Sequence, residues 1–212
     1  MKNILVLFIS LLSISCLGQK NSNTKVLEAS RLFISALDDN LKSEALFSYE
    51  SIERKNWFYT PVPRKGLDYR KLSDEQKKMA MDILHASLSD KGVKTALAIM
   101  QLEGVLHVLE KRPTDSHHRD PEKYYFSFFG TPDAHETWAW RIEGHHLSLN
   151  YASKSGKISS ATPLFFGTNP AVVPAGMPVT EGTEVLKVET EMGFSFLASL
   201  NTKQHAQAKI NE

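Results

Sequence analysis

His145 and His146 stand side by side within Trp138-Ala-Trp-Arg-Ile-Glu-Gly-His-His-Leu-Ser-Leu-Asn-Tyr151, a stretch that also carries Arg141, Glu143, Ser148 and Asn150. Imidazole titrates near neutrality, so these rings can move protons or ligate a metal, while the Arg141 guanidinium can orient an anionic group. Read as one long strand, the stretch places Arg141, Glu143 and His145 on one face and His146, Ser148 and Asn150 on the other. Gly144 suggests a bulge that would shift this phase and turn both rings toward one cavity. Buried charge costs free energy unless paired. The stretch therefore either satisfies itself, with Arg141 paired to Glu143 and a histidine bonded to a backbone carbonyl, or serves a site.

Glu103 is the carboxylate expected to join the histidines, because it interrupts an apolar helical stretch and has His107 one turn later. The plainer alternative is an exposed helix face of Glu103, His107 and Glu110. Adjacent histidines diverge on a regular strand, and no His-x-His, His-Glu-x-x-His or cysteine pair adds ligand spacing. A divalent metal thus has little sequence support and would need ligands from elsewhere. The loop His117-His-Arg-Asp-Pro-Glu122 offers Arg119, either as a substrate contact or as part of the turn that launches the next strand. Trp140, with Trp138, supplies a candidate apolar wall. Gly167-Thr-Asn-Pro170 lacks the glycines and the Lys-Ser/Thr of a phosphate loop, which disfavours nucleotide and leaves Asn169 as a candidate polar contact. No Gly-x-Ser-x-Gly elbow occurs, and the one cysteine, Cys16, falls in a leader, so the expected nucleophile is water or a substrate group.

The elements that must position these residues follow from periodicity. Val26, Leu27, Ser30, Phe33, Ile34 and Leu37 have helical spacing after a Thr24 cap, and a short helix is expected over 41–47. Trp57 to Gly66, broken by Pro61 and Pro63, predicts an extended ordered loop. Ser73-Asp-Glu-Gln76 has capping-box spacing and predicts a helix from Asp74 to about Leu88, followed by another over about 91–111. Beyond Arg112 the composition turns to aromatics, Pro and Gly. Strands are expected at Tyr124–Phe129, Trp138–Tyr151 and Ile158–Phe166, with turns at Gly130–Asp133 and Ser155-Gly156. Helical spacing returns over 184–200, and Asn201 caps a closing helix; the first helix and the one over 184–200 are expected to pack on one core. The fold class is α+β, a single domain with helices at both ends and a central antiparallel sheet.

The 212 residues carry a net charge of +1 with dispersed basic side chains, which argues against nucleic acid as a partner. Lys2 and the apolar run Ile4–Leu12 read as a secretory leader over 1–18. Ser13-Ile-Ser-Cys16 resembles a lipobox, with Ser13 where Leu is usual; cleavage after Gly18 is the rival. Residues 19–24 form a polar tether, and 25–212 the domain. Membrane contact is expected only through a lipid at Cys16, and the location is extracytoplasmic: secreted, periplasmic or lipid-anchored.

Pro63-Arg-Lys-Gly-Leu67, Arg119-Asp-Pro-Glu122, Tyr124-Tyr-Phe126, Trp138-Ala-Trp-Arg141, Glu143-Gly-His-His-Leu-Ser-Leu-Asn150 and Phe166-Gly-Thr-Asn-Pro-Ala171 occur in order along the chain. Together they resemble the bacterial family known as domain of unknown function 3500. Thr168 departs from it, standing where Ala is expected. The resemblance implies that the His-His strand, the Arg-Asp-Pro-Glu loop and the Asn-Pro loop are family hallmarks, and brings no activity, substrate or catalytic assignment. Three readings stay open. One is an enzyme whose pocket combines His145, His146, Arg141 and Glu103 around a small polar or anionic substrate. Another is a non-catalytic small-molecule- or metal-binding envelope protein. The last is a self-satisfied polar strand whose loops serve an unknown protein partner.

Overall fold

The computed structural model describes residues 23–210. The expected leader, Cys16 and residues 19–22 of the tether lie outside the described residues.

The described chain begins in a helix, α1, over 23–35, so Thr24 lies inside it instead of capping it. Next come α2 (Asp39–Ala45), the short strand β1 (Leu46–Phe47), a 3₁₀ turn (Ile52–Lys55), β2 (Leu67–Asp68), a second 3₁₀ turn (Tyr69–Lys71), α3 (Asp74–Ser87) and α4 (Asp90–Leu109). The strands β3 (Tyr125–Phe129), β4 (Thr137–Gly144), β5 (Leu147–Lys154), β6 (Lys157–Ser160) and β7 (Leu164–Phe166) follow, then α5 (Lys187–Ser199) and α6 (Thr202–Ala208). The class is α+β, as the pattern of elements predicts. The expected capping box is present: Ser73 accepts from the Gln76 amide, and Gln76 reaches back to the Ser73 N–H. Residues 56–66 form the expected irregular loop, with neither helix nor strand.

The sheet is built on an antiparallel β3-β4-β5 meander whose two edges are each shared by two short strands. β1 and β2 divide the free edge of β3, and β6 and β7 divide that of β5. β1 runs parallel to β3, which the sequence does not announce. Two strand expectations need correction. Ile158–Phe166 is broken at 161–163 into β6 and β7. Trp138–Tyr151 is two strands joined by His145-His146, with Gly144 opposite Leu147. The chain reverses there, so alternation restarts and Arg141 pairs with Asn150, and Glu143 with Ser148. All four therefore share one face, where an uninterrupted strand would have split them.

The opposite face is apolar and packs on the helices. Phe33 of α1 sits 5.9 Å from Phe126 and 6.0 Å from Phe128, ring centre to ring centre. Trp138, Trp140 and Tyr151 form a continuous stack at 4.7 and 5.0 Å. Ile83 and Leu84 of α3 and Ala96 and Ile99 of α4 complete the layer, each almost fully buried. Burying one such large side chain contributes about 1.5–3 kcal/mol, so this layer dominates the fold's stability. α4 is apolar on most sides because it is a core helix, and Glu103 is buried within it. By contrast α5 and α6 bury no residue, so of the two helices expected to share one core α1 packs on it and α5 does not.

Gly144 does not form a bulge; the register irregularity is at Ala152/Ser153. Its glycine is needed because a Cβ there would overlap the Tyr124 ring, which is itself 1% exposed. Gly144→Ala should lower stability by about 1–3 kcal/mol through overpacking. Urea unfolding measures this, and an unchanged midpoint would mean that the Tyr124 ring has room to retreat.

Candidate functional site

The His145-His146 turn lies at the end of the sheet where three loops converge. His146 takes a positive φ of 59°, a conformation that Asn and Gly adopt more readily than a ring-bearing residue. The surrounding structure holds it there. The His146 N–H donates to Tyr59 O, and Gly167 N–H donates to His146 O, both at 2.8 Å. The Tyr124 hydroxyl donates to His145 O at 2.9 Å. Arg64 Nη2 donates to Gly144 O at 2.9 Å.

Glu103 reaches this turn from α4. Its Oε1 makes a very short contact with His145 Nδ1, and Arg119 Nη1 lies 2.9 Å from the same nitrogen. A ring nitrogen cannot donate to a carboxylate and accept from a guanidinium at once. The shorter carboxylate contact assigns the hydrogen to Nδ1, so that in the neutral ring Nε2 is the acceptor. Arg119 then serves the carboxylates: Glu103 Oε2 at 3.6 Å and Glu110 Oε1 at 2.6 Å. Those hydrogen bonds from Arg119, with help from Arg112, hold Glu110 down to about 2. His145 and His146 stack with ring centres 3.8 Å apart and planes inclined by 29°. Burial first, and then the neighbouring His145, pull His146 down to about 4, so it is neutral at neutral pH. Beside the Glu103–His145 pair is a hollow of about 10 Å³, also lined by Arg64, His118 and Lys123. That is room for about one water.

A second group of charges lies on the outer sheet face. Arg141 is 1% exposed. Its Nη2 donates to Glu53 Oε1 at 2.7 Å and its Nη1 to Asn56 O at 2.6 Å and Glu53 O at 3.0 Å. Its Nε lies 2.7 Å from Glu143 Oε1. Arg64 Nε lies 3.5 Å from the other oxygen of Glu143, and Arg64 also donates to the carbonyls of Phe58, Thr60 and Val62. Burial raises the Glu143 carboxyl above its usual range, against the pull of Arg141 and Arg64.

The structure thus brings Glu103, His145, His146 and Arg119 together. It does not bring Arg141 to them: that side chain is spent on Glu53 and Glu143 in the outer-face group. Trp140 faces the helical core, where its Nε1 donates to Ser87 Oγ at 3.0 Å, so it is no wall for the histidines. Asn169 is exposed in the loop after β7, two residues beyond the Gly167 that bonds the turn. Glu103 pairs with His145 across the fold instead of with His107 along its helix. Among the described residues, no group of three His, Cys, Asp or Glu side chains comes together to hold a metal ion.

Arg64, Tyr124, Glu53 and Lys123 are the neighbours that sequence reasoning missed as site residues, while His118 belongs to the loop singled out for Arg119. The Pro63-Arg-Lys-Gly and Tyr-Tyr-Phe motifs pointed toward Arg64 and Tyr124 without saying what they touch.

Comparison with known families adds one result. The family described as "Protein of unknown function (DUF3500)" matches residues 19–212. The chain belongs to this family. No curated protein and no solved structure matches it. The motifs Arg119-Asp-Pro-Glu122, Tyr124-Tyr-Phe126 and Glu143–Asn150, which prompted the resemblance, supply Arg119, Tyr124 and the two histidines of this DUF3500 chain's turn.

Arg141→Met would leave the Glu53 and Glu143 carboxylates buried without their shared cation, and should cost about 3–5 kcal/mol in urea unfolding. Adding Glu143→Gln should restore part of that loss. For His146, the unfolded ring titrates near 6.5 and the folded ring at about 4. Between those values the unfolded state binds more protons, so its contribution to stability is lost as pH falls from about 6.5 to about 4. His146→Asn, which tolerates positive φ, should flatten the Tm-against-pH curve in that window. An unaltered curve would show that other groups set the acid slope.

Proposed function

We propose that this chain is an enzyme that transfers protons on a small polar or anionic substrate. Glu103 orients His145, and the Nε2 of His145 acts as acid and base. The observation that carries this reading is the buried Glu103–His145 hydrogen bond beside the hollow. A carboxylate on one imidazole nitrogen sets the tautomer and leaves the other nitrogen available to water or a substrate hydroxyl. Lys123, which lines the same hollow, is the cation suited to an anionic substrate; Arg119 is engaged by Glu103 and Glu110 and positions Glu103. With a leader of the kind read over residues 1–18, the enzyme works outside the cytoplasm, secreted or lipid-anchored at Cys16.

A second reading is favoured by the small size of the hollow, which suits a single water. In it, Glu103, Arg119 and the histidines form a self-contained polar joint that locks the hairpin to α4, and the loops face a protein partner.

The two readings separate in a panel of small polar and anionic compounds, scored by thermal shift and by turnover followed with NMR. The enzyme reading expects a stabilising compound that is converted, with turnover falling roughly 10²–10⁴-fold in both Glu103→Gln and His145→Ala. Turnover that survives in both folded variants would sink it. A panel with no stabiliser and no conversion, together with a large loss of Tm in the same variants, would establish the structural joint.

A further inference from the structure

The arm that carries α5 and α6 leaves the body of the fold at Val185, which packs against both apolar clusters of the core. Its first helical turn is held by Lys91 Nζ, which donates to Glu189 Oε1 at 3.1 Å. Beyond that root neither helix buries a residue. Val188, Met192, Phe194, Phe196 and Leu197 of α5 are large, apolar and between 43% and 69% exposed. The helix also lacks a side-chain hydrogen bond at its N-cap. An uncapped helix of 13 residues is marginal in water by itself, because helices in proteins draw most of their stability from packing an apolar face. A partner covering α5 would supply that packing.

Two features point to which partner fits. The first is area. At about 150–250 Å² for a whole aromatic side chain, the five exposed side chains offer on the order of 500 Å² of apolar surface. A homodimer interface of about 800 Å² per copy is about 65% apolar, so α5 supplies an apolar share of the size a dimer uses. The second is charge. The arm carries Glu181, Glu184, Glu189 and Glu191 before its apolar middle, with Lys187 as the one base among them, and Lys203, His205 and Lys209 after it, with no acid over 201–210. Such a surface complements itself when two copies run antiparallel: the acidic half of each meets the basic stretch of the other, and the apolar middles coincide. Two-fold symmetry pairs identical surfaces in that sense and closes at two copies. A uniformly charged partner would match one end of the arm and be repelled by the other. An anionic lipid surface fits poorly too, because the polar side of α5 is acidic where membrane-surface helices carry Lys and Arg.

We propose that α5 is the contact between two copies of this chain, packed antiparallel across a two-fold axis, with Lys203 of each copy against the acidic stretch of the other. Glu191, which approaches Lys187 at 3.9 Å, and Lys203 are both exposed and able to reach across.

Sedimentation velocity on the full chain tests the proposal, with flotation on phosphatidylcholine vesicles in parallel. The chain should sediment as a dimer that dissociates on dilution. Phe194→Ser with Phe196→Ser should leave a monomer whose Tm matches that of the dilute native chain, since neither ring is buried in the fold. Lys203→Glu should weaken the dimer roughly tenfold or more, because a like charge replaces an opposite one twice per dimer. Adding Glu191→Lys to Lys203→Glu should restore it. A native chain still monomeric at about 100 μM would overturn the proposal, because interfaces of this size bind at micromolar concentrations or below; a monomer that floats with the vesicles would assign the face to lipid instead. A dimer that survives both Phe substitutions would overturn the role of α5, and a charge swap that restores nothing would overturn the antiparallel pairing.

Discussion

Glu143 lies between two arginines, Arg141 Nε at 2.7 Å and Arg64 Nε at 3.5 Å, with almost no exposure to solvent. A carboxylate in that position is unfavourable alone and tolerable only while both cations remain. The arrangement therefore fixes more than a local contact. Arg141 ties Glu143 to the 3₁₀ turn through Glu53 and Asn56. Arg64 ties it to the carbonyls of its own loop and to Gly144. One buried charge row thus lays the irregular segment 56–66 over an otherwise open sheet face and sets where the hairpin turn ends. Replacing such a row by apolar residues of similar volume is often neutral or stabilising, so we read its value as specifying one arrangement more than as adding stability.

The site inherits that arrangement. Because Arg64 holds Gly144 O and Tyr59 holds the His146 amide, the turn cannot slide along the loop. The Tyr124 ring fills the space above Gly144 and its hydroxyl fixes the carbonyl of His145. With the backbone immobilised from three sides, the imidazole of His145 is presented to α4, where Glu103 is the buried partner within reach. Precision of this kind is what proton transfer needs. It is equally what a structural joint between sheet and helix would show, which is why substrate turnover, and not geometry, separates the two readings.

Much of the frame was legible in the chain. The Ser73–Gln76 capping box, the amphipathic α1 and α3, the Ser155-Gly156 turn and the proline-broken loop all follow from local chemistry that acts within a few residues. The His145-His146 turn was not legible, because neither residue advertises a reversal and the flanking alternation reads equally well as one strand. Its positive φ at His146 is imposed by Tyr59, Gly167 and Tyr124, contacts that the sequence does not place. The role of Gly144 is hidden for the same reason: the glycine answers to a tyrosine ring twenty positions away in sequence, not to a bulge in its own strand.

What the sequence determined by itself was the list of α-helices, the stretches that hold β3 to β7 without the breaks inside them, and the polar residues that had to find partners. The pairings of Glu103 with His145 and of Arg141 with Glu143 were among those the sequence suggested; the tertiary structure chose them over the alternatives and added the partners Glu53, Arg64 and Tyr124. Arg141 and Glu143 went to the outer face, and His145 went to Glu103, because a two-residue reversal folds one strand back on the other. The physical reason is range: capping and periodicity are set by neighbours along the chain. The pairing of buried charges depends on which surfaces the folded layers bring within a few ångströms.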